Sequence, residues 1–174
     1  SLGVAFRCNS PINRDMGAEK LLQEGFDAVF LAPGLWDATR LKTVSEKIEG
    51  LTTSVDFLAG MRDGKRDSFE NRFSGKTVAV IGGGSVAMDC AQSAVRLGAG
   101  DVYLIYRRSW TQMPAEEDEK IETIDGGVHY LLLNQPVDYI VSENRIQGMK
   151  LVRTRLGEPD ASGRRSPESI EGSD

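Results

Sequence analysis

Cysteine is scarce in this chain. Cys8 and Cys90 are the only two. They stand too far apart for a zinc ribbon or a redox Cys-x-x-C, and they give no reason to expect a disulfide framework. A reduced, cytoplasmic setting is therefore the default expectation. Histidine is scarcer still: His129 is alone, so neither a histidine metal site nor a Ser-His relay can be assembled, and no metal is expected. It alternates with apolar neighbours on an expected strand, where a structural role is favoured. No apolar run approaches the ~20 residues of a membrane-crossing helix, and no secretory leader pattern opens the chain. Charge of one sign is not concentrated. With 21 Lys and Arg against 26 Asp and Glu, the net charge is −5, which leaves no basic footprint for nucleic acid.

Glycine, by contrast, is plentiful, at 19 of 174 residues. That length suits one domain, or one domain with an appendage. The chain begins at Ser1 rather than Met and ends in a polar tail, which suggests a piece of something longer.

Leu2 to Cys8 is apolar enough for a strand, with Cys8 in a core. Ala18 to Glu24 reads as a helix ending at Gly25. Phe26 to Ala32 reads as a buried parallel strand closed by Pro33-Gly34. The pattern weakens from Leu35 to Ser74. Val55 to Met61 suggests a short helix, and Arg62 to Ser74 a polar connector. It sharpens at Thr77 to Ile81, a β-branched run followed by three glycines. Ser85 to Leu97 then places Val86, Cys90, Ala94 and Leu97 on one helical face, with Cys90 in the core. Strands follow at Val102–Tyr106 and Val128–Leu133, separated by a helix over Ala115–Ile124. The acids Glu116 to Glu119 read as its solvated first turn, favoured there by the helix dipole, and Met113-Pro114 as the loop entering it. Val137–Val141 and Ile146–Leu156 alternate around a Ser142–Arg145 turn, an antiparallel hairpin. Gly157 to Asp174 reads as a loop or frayed end. The expected fold is α/β: a Rossmann-like three-layer NAD(P)-binding domain with a parallel sheet plus an antiparallel hairpin or meander. The expected division is residues 1–74 as flank and connector, 75–156 as the nucleotide-binding domain and 157–174 as a returning loop.

Gly82, Gly84 and Ala87 satisfy G-x-G-x-x-G/A between a buried strand and an amphipathic helix, the context this motif requires. The first glycine permits the tight turn, the second lets backbone approach a pyrophosphate, and a small third residue lets the helix pack on the strand. Ser85 and Val86 open that helix, whose free N–H groups and partial positive charge favour phosphate. Ser85 also suits a helix cap. Gly75-Lys76-Thr77 resembles the end of a P-loop, but Glu70 stands where that motif needs glycine, and the tripeptide precedes a strand instead of following one.

The second strand decides between coenzymes. An NAD site places Asp or Glu at its C-terminal end. Here Asp101 lies at the opposite end, and the C-terminal end reads Tyr106-Arg107-Arg108. Arginines there would grip a 2′-phosphate by charge-assisted hydrogen bonds, which favours NADP(H) over NAD(H). No acid–base pair or activated nucleophile emerges, as fits hydride transfer, where the cofactors carry the chemistry. Asp89, in the first helical turn, would lie toward the nicotinamide or simply complement the helix dipole. Trp36 and Trp110 each adjoin a candidate site loop.

Three ordered stretches, KTVAVIGGGSVAMDCAQSAVRLGA, YRRSWTQMPAEEDE and GEPDASGRRSPESIEGS, resemble the small-subunit type of glutamate synthase and its flavoprotein relatives, including the NADPH-oxidising half of dihydropyrimidine dehydrogenase. The upstream EGFDAVFLAPG is similar to the family's handover from an FAD-binding to an NADPH-binding domain. The resemblance implies that Gly82, Gly83, Gly84 and Ala87, with Ser85 and Val86, hold the pyrophosphate. It implies that Arg107 and Arg108 take the 2′-phosphate and that Pro33 and Gly34 lie at the domain junction near both cofactors. Pro33 stands where the family often has threonine, and Ser85 where it often has asparagine. FAD would be bound by parts of a parent protein outside this chain, whose remaining FAD domain would be the first partner. An iron–sulfur protein or a glutamate-synthase-large-subunit-like protein would take the electrons. The isolated chain would then not turn over by itself. The alternative is a non-catalytic NAD(P)-binding regulatory module. A disulfide reductase of the thioredoxin reductase type is disfavoured by the missing Cys-x-x-C.

Overall fold

The computed structural model describes residues 3–13, 16–34, 48–161 and 163–173. The chain divides into two compact units, Ser1–Trp36 and Asp37–Asp174.

In the first unit the described residues form one helix, α1 (Ala18–Gln23). Leu21 N bonds Gly17 O, and the chain leaves the helix through Gly25 at φ +101. The strands expected at Leu2–Cys8 and Phe26–Ala32 are absent among the described residues. A strand is completed by hydrogen bonds from a neighbour, and no described residue pairs with either segment. Phe6, Phe30 and Leu31 are accordingly exposed, and so is Cys8, which was expected in a core.

The second unit holds the remaining elements. Thr53 caps α2 (Ser54–Arg62), accepting from Asp56 N at 3.1 Å. Helix α3 (Arg66–Phe73) replaces the expected polar connector. Its sequence is hydrophilic, but Phe69 and Phe73 fall one helical turn apart and join Phe57 of α2, with ring centroids 5.0 and 5.1 Å from Phe57.

Three strands build a parallel sheet in the order β1 (Thr77–Ile81), β2 (Asp101–Tyr106), β3 (His129–Leu132). Thr77 pairs with Asp101 and Ile81 with Ile105, then Tyr103 with His129 and Tyr106 with Leu132. Helix α4 (Ser85–Arg96) connects β1 to β2, and α5 (Glu117–Asp125) connects β2 to β3. Ala87, Ala91 and Ala94 recur at helical spacing on the buried face of α4, and such small side chains allow the helix to lie close on the sheet. They pack with Met88 against Val102, Leu104 and Tyr106. A second cluster joins Phe57, Phe69, Cys90 and Leu97, so α2 and α3 bury their apolar faces on the same helix. On the other side of the sheet, Ala79 and Ile81 stay exposed.

A second, antiparallel sheet follows in the order β4 (Asn134–Ser142), β5 (Arg145–Pro159), β6 (Arg165–Ser169). Glu143 and Asn144 sit at φ +49 and +60, the two left-handed residues of a tight hairpin turn. The stretch expected to be a loop or frayed end instead contains β6, paired with β5 through Thr154–Ser169 and Leu156–Pro167. Four polar residues around a proline carry no strand signal, yet an edge strand tolerates proline because one side needs no donor. The α/β class, with a parallel sheet and an added antiparallel one, is as expected. Among the described residues no helix is long and apolar enough to cross a membrane.

Candidate functional site

The site is built at the C-terminal end of β1. Gly82 leaves the strand at φ +147 and donates to Ile105 O at 3.0 Å. This backbone region is open to glycine and strained for other residues. A Cβ there would also come within 3.1 Å of Ala87 Cβ, which explains the small residue five positions on. Gly83 is buried, and a Cβ would lie 2.6 Å from the Tyr106 ring. Its carbonyl accepts from Ala115 N at 3.1 Å, while Tyr106 Oη donates to Gln112 O at 2.7 Å. The turn is therefore held between the last residue of β2 and the loop entering α5.

Gly84 is different. A Cβ there would meet only Pro114 Cγ, at an ordinary 3.6 Å, and its φ of −100 suits any residue. Among the described residues nothing demands glycine at this position. It precedes α4, which has no side-chain cap. Ala87 N and Met88 N both return to Gly84 O, whereas the first-turn amides of Ser85 and Val86 have no place in the helical ladder. Both residues are exposed. Two amides, a helix dipole and a turn without side chains therefore meet at one point, the arrangement an anion cradle requires.

Ser85 does not cap its own helix. Its hydroxyl donates to Glu119 Oε2 at 2.7 Å, and the same oxygen accepts from Glu116 N at 3.1 Å within the capping box of α5. One carboxylate thus ties the starts of α4 and α5 together beside the cradle. Of the four acids expected in a solvated first turn, Glu119 is the exception, being half-buried. Sequence reasoning missed this role, and the capping-box pattern was its only local signal.

The two arginines part company. Arg107 is exposed at the end of β2. Arg108 is buried, and its Nε donates to Arg165 O at 2.9 Å. Expected as a pair, they occupy opposite environments because successive residues leaving a strand face opposite sides. The adjoining loop is fixed by Trp110, whose Nε1 donates to Glu117 Oε1 at 2.9 Å and whose ring lies 5.0 Å under Lys120 Nζ. Lys120 and Trp110 hold the Glu117 carboxyl below its ordinary range by hydrogen bonding.

Pro33 and Gly34 belong to the first unit, where Gly34 adopts φ +74. Trp36 lies outside the described residues. Asp89 is exposed on α4, and His129 is exposed beside Asp101 and Tyr103, not enclosed. Cys90 is buried as expected. Burial, then the nearby Asp89 charge, pushes its thiol up to about 12, so it is protonated and unreactive near neutrality.

Residues 9–154 match the family model described as pyridine nucleotide-disulphide oxidoreductase. The chain belongs to this family. It is 42% identical to the NADP(+)-dependent formate dehydrogenase subunit beta of Moorella thermoacetica, over 100% of this chain and 24% of that protein. It is 38% identical to the glutamate synthase [NADPH] small chain of Halomonas elongata, over 99% of this chain and 37% of that protein. It is 42% identical to the NADPH-Fe(3+) oxidoreductase subunit beta of Geobacter sulfurreducens, over 100% and 26%. The chain spans between about a quarter and two fifths of these relatives. The likeness to glutamate synthase small chains expected from the three motifs is borne out.

Proposed function

We propose that this chain is the NADPH-binding portion of an FAD-dependent pyridine-nucleotide oxidoreductase, serving hydride transfer from NADPH to FAD. One observation carries the reading: the uncapped start of α4, reached through Gly82-Gly83-Gly84, shares the strand-end edge of the sheet with the exposed Arg107. Bound NADPH supplies the hydride. The chain's own residues bind and orient it. The amides of Ser85 and Val86 receive the pyrophosphate, with Gly84 admitting its close approach and Ala87 keeping the helix against β1. Arg107 takes the 2′-phosphate.

The names of the relatives support NADPH as the coenzyme. Residues 75–156 carry the nucleotide site, and 1–74 and 157–174 flank it toward an FAD-binding portion, with Pro33 and Gly34 near that junction. FAD itself is held by other parts of the parent protein. Electrons leave through an iron–sulfur protein or a subunit like the glutamate synthase large chain.

Calorimetric titration of the chain with NADPH and NADH tests the nucleotide assignment. NADPH is expected to bind more tightly, and Arg107→Ala to remove most of the difference. Equal affinity for the two, or an unchanged preference in Arg107→Ala, refutes it. In the parent holoenzyme, NADPH should bleach the flavin absorbance. Tight binding without flavin reduction would instead support the regulatory alternative.

A further inference from the structure

Arg107 is the exposed member of the arginine pair, and one tether holds its own backbone while others hold the residues next to it. Thr154 Oγ1, from the middle of β5, donates to Arg107 O at 2.8 Å. Leu133 N donates to Arg108 O at 3.1 Å, and Thr154 N donates to Leu133 O at 2.8 Å. Arg108 Nε closes the set on Arg165 O of β6 at 2.9 Å. Thr154 is 3% exposed and Arg108 7%, so water competes little for these bonds.

Leu133 itself stands at φ +56, a left-handed conformation that costs a leucine about 1–2 kcal/mol. Such strain persists only where the surroundings impose it, and it clusters at functional sites. Here it turns one amide toward Arg108 and one carbonyl toward Thr154.

We propose that β5 and β6 act as a clamp that sets coenzyme selectivity, with Thr154 and Arg108 as positioning residues that hold the Arg107 backbone in its phosphate-binding place. Arg108 is not itself a phosphate ligand in this arrangement, since its guanidinium is buried and its Nε is committed to a carbonyl. The clamp rests on the reading that Arg107 takes the 2′-phosphate. It explains why an exposed arginine on a loop can discriminate: the backbone is already ordered, so less conformational freedom is lost on binding. NAD(H), lacking the phosphate, gains nothing from it.

The test is calorimetric titration of the full chain with NADP+ and NAD+. Thr154→Val keeps the shape but removes the hydroxyl donor. It should weaken NADP+ binding roughly three- to tenfold, the span of one net hydrogen bond, and leave NAD+ affinity unchanged. Thr154→Ser should restore NADP+ binding. In an Arg107→Ala background, Thr154→Val should add no further loss, because it acts through Arg107. Should Thr154→Val melt too low to assay, Arg108→Met severs the other tether with the same pattern expected, again silent in the Arg107→Ala background. An additive loss there would make Arg108 a direct ligand and overturn the clamp. The clamp is also refuted if Thr154→Val spares NADP+ binding, or weakens both coenzymes equally, while Arg107→Ala still collapses the selectivity. If Arg107→Ala leaves selectivity intact, the underlying phosphate assignment fails and the clamp falls with it.

Discussion

Replacing Gly83 by alanine separates the two reasons a glycine can occupy this turn. The added Cβ would lie 2.6, 2.7 and 2.9 Å from three carbons of the Tyr106 ring, well inside van der Waals contact. The ring cannot simply swing away. It is 7% exposed within the main core cluster, and its hydroxyl is held by Gln112 O at 2.7 Å. Overpacking a core costs about 1–3 kcal/mol, and breaking the Tyr106 hydrogen bond adds about 0.5–1.5 kcal/mol. The sum of roughly 1.5–4.5 kcal/mol corresponds to a melting temperature lower by roughly 3–18 °C for a domain of this size. Gly84→Ala is the internal control. Its Cβ meets one atom at 3.6 Å, and its backbone already suits alanine, so stability should be unchanged or rise by up to about 1 kcal/mol. If the pyrophosphate approaches there, nucleotide affinity should nevertheless fall. Thermal melts by circular dichroism, paired with NADPH titration, read both quantities. A Gly83→Ala melting point within a degree of the parent would refute the packing argument.

Two further outcomes follow from groups around the same helix. Glu119→Gln removes a carboxylate next to the phosphate cradle while keeping an acceptor for Ser85, so NADPH should bind a few-fold more tightly at low salt, with the gain fading as salt screens it; unchanged affinity at low salt would place Glu119 outside the nucleotide's field. A thiol reagent at pH 8 should modify exposed Cys8 rapidly and buried Cys90 only on denaturation. Because the folded Cys90 thiol titrates at about 12 against an ordinary 9.0, its stabilising contribution is complete below pH 9 and is lost as pH rises toward 12; Cys90→Ala should flatten the alkaline decline in melting temperature relative to the parent.

What could be read in the sequence was what neighbouring residues decide among themselves. Thr77–Ile81 is β-branched, the glycines follow at once, and α4 repeats its small residues every three or four positions, so β1, α4 and β2 are each specified locally. The Ser142–Arg145 hairpin turn was legible for the same reason. Phe26–Ala32 looked equally like a strand, but apolar content alone supplies no hydrogen-bonding neighbour. Arg165–Ser169 looked like nothing, and it became a strand because β5 runs on past its first partner and offers it an edge. The fate of Arg108 was illegible in principle: the carbonyl that captures it lies 57 residues downstream. Glu119, likewise, is a surface acid until α4 brings Ser85 against it, 34 residues away.

Leu133 is the only residue between β3, which ends at Leu132, and β4, which begins at Asn134. A junction so short has no slack. One inserted residue there would shift the alternation of β4 by one position and send its inward side chains, including buried Pro136, to the opposite face. Between β5 and β6 the described residues Asp160, Ala161, Gly163 and Arg164 are exposed, and added length costs little in such a reversal. Length variation is therefore expected to concentrate at the far reversal, while the single-residue joint keeps a fixed count.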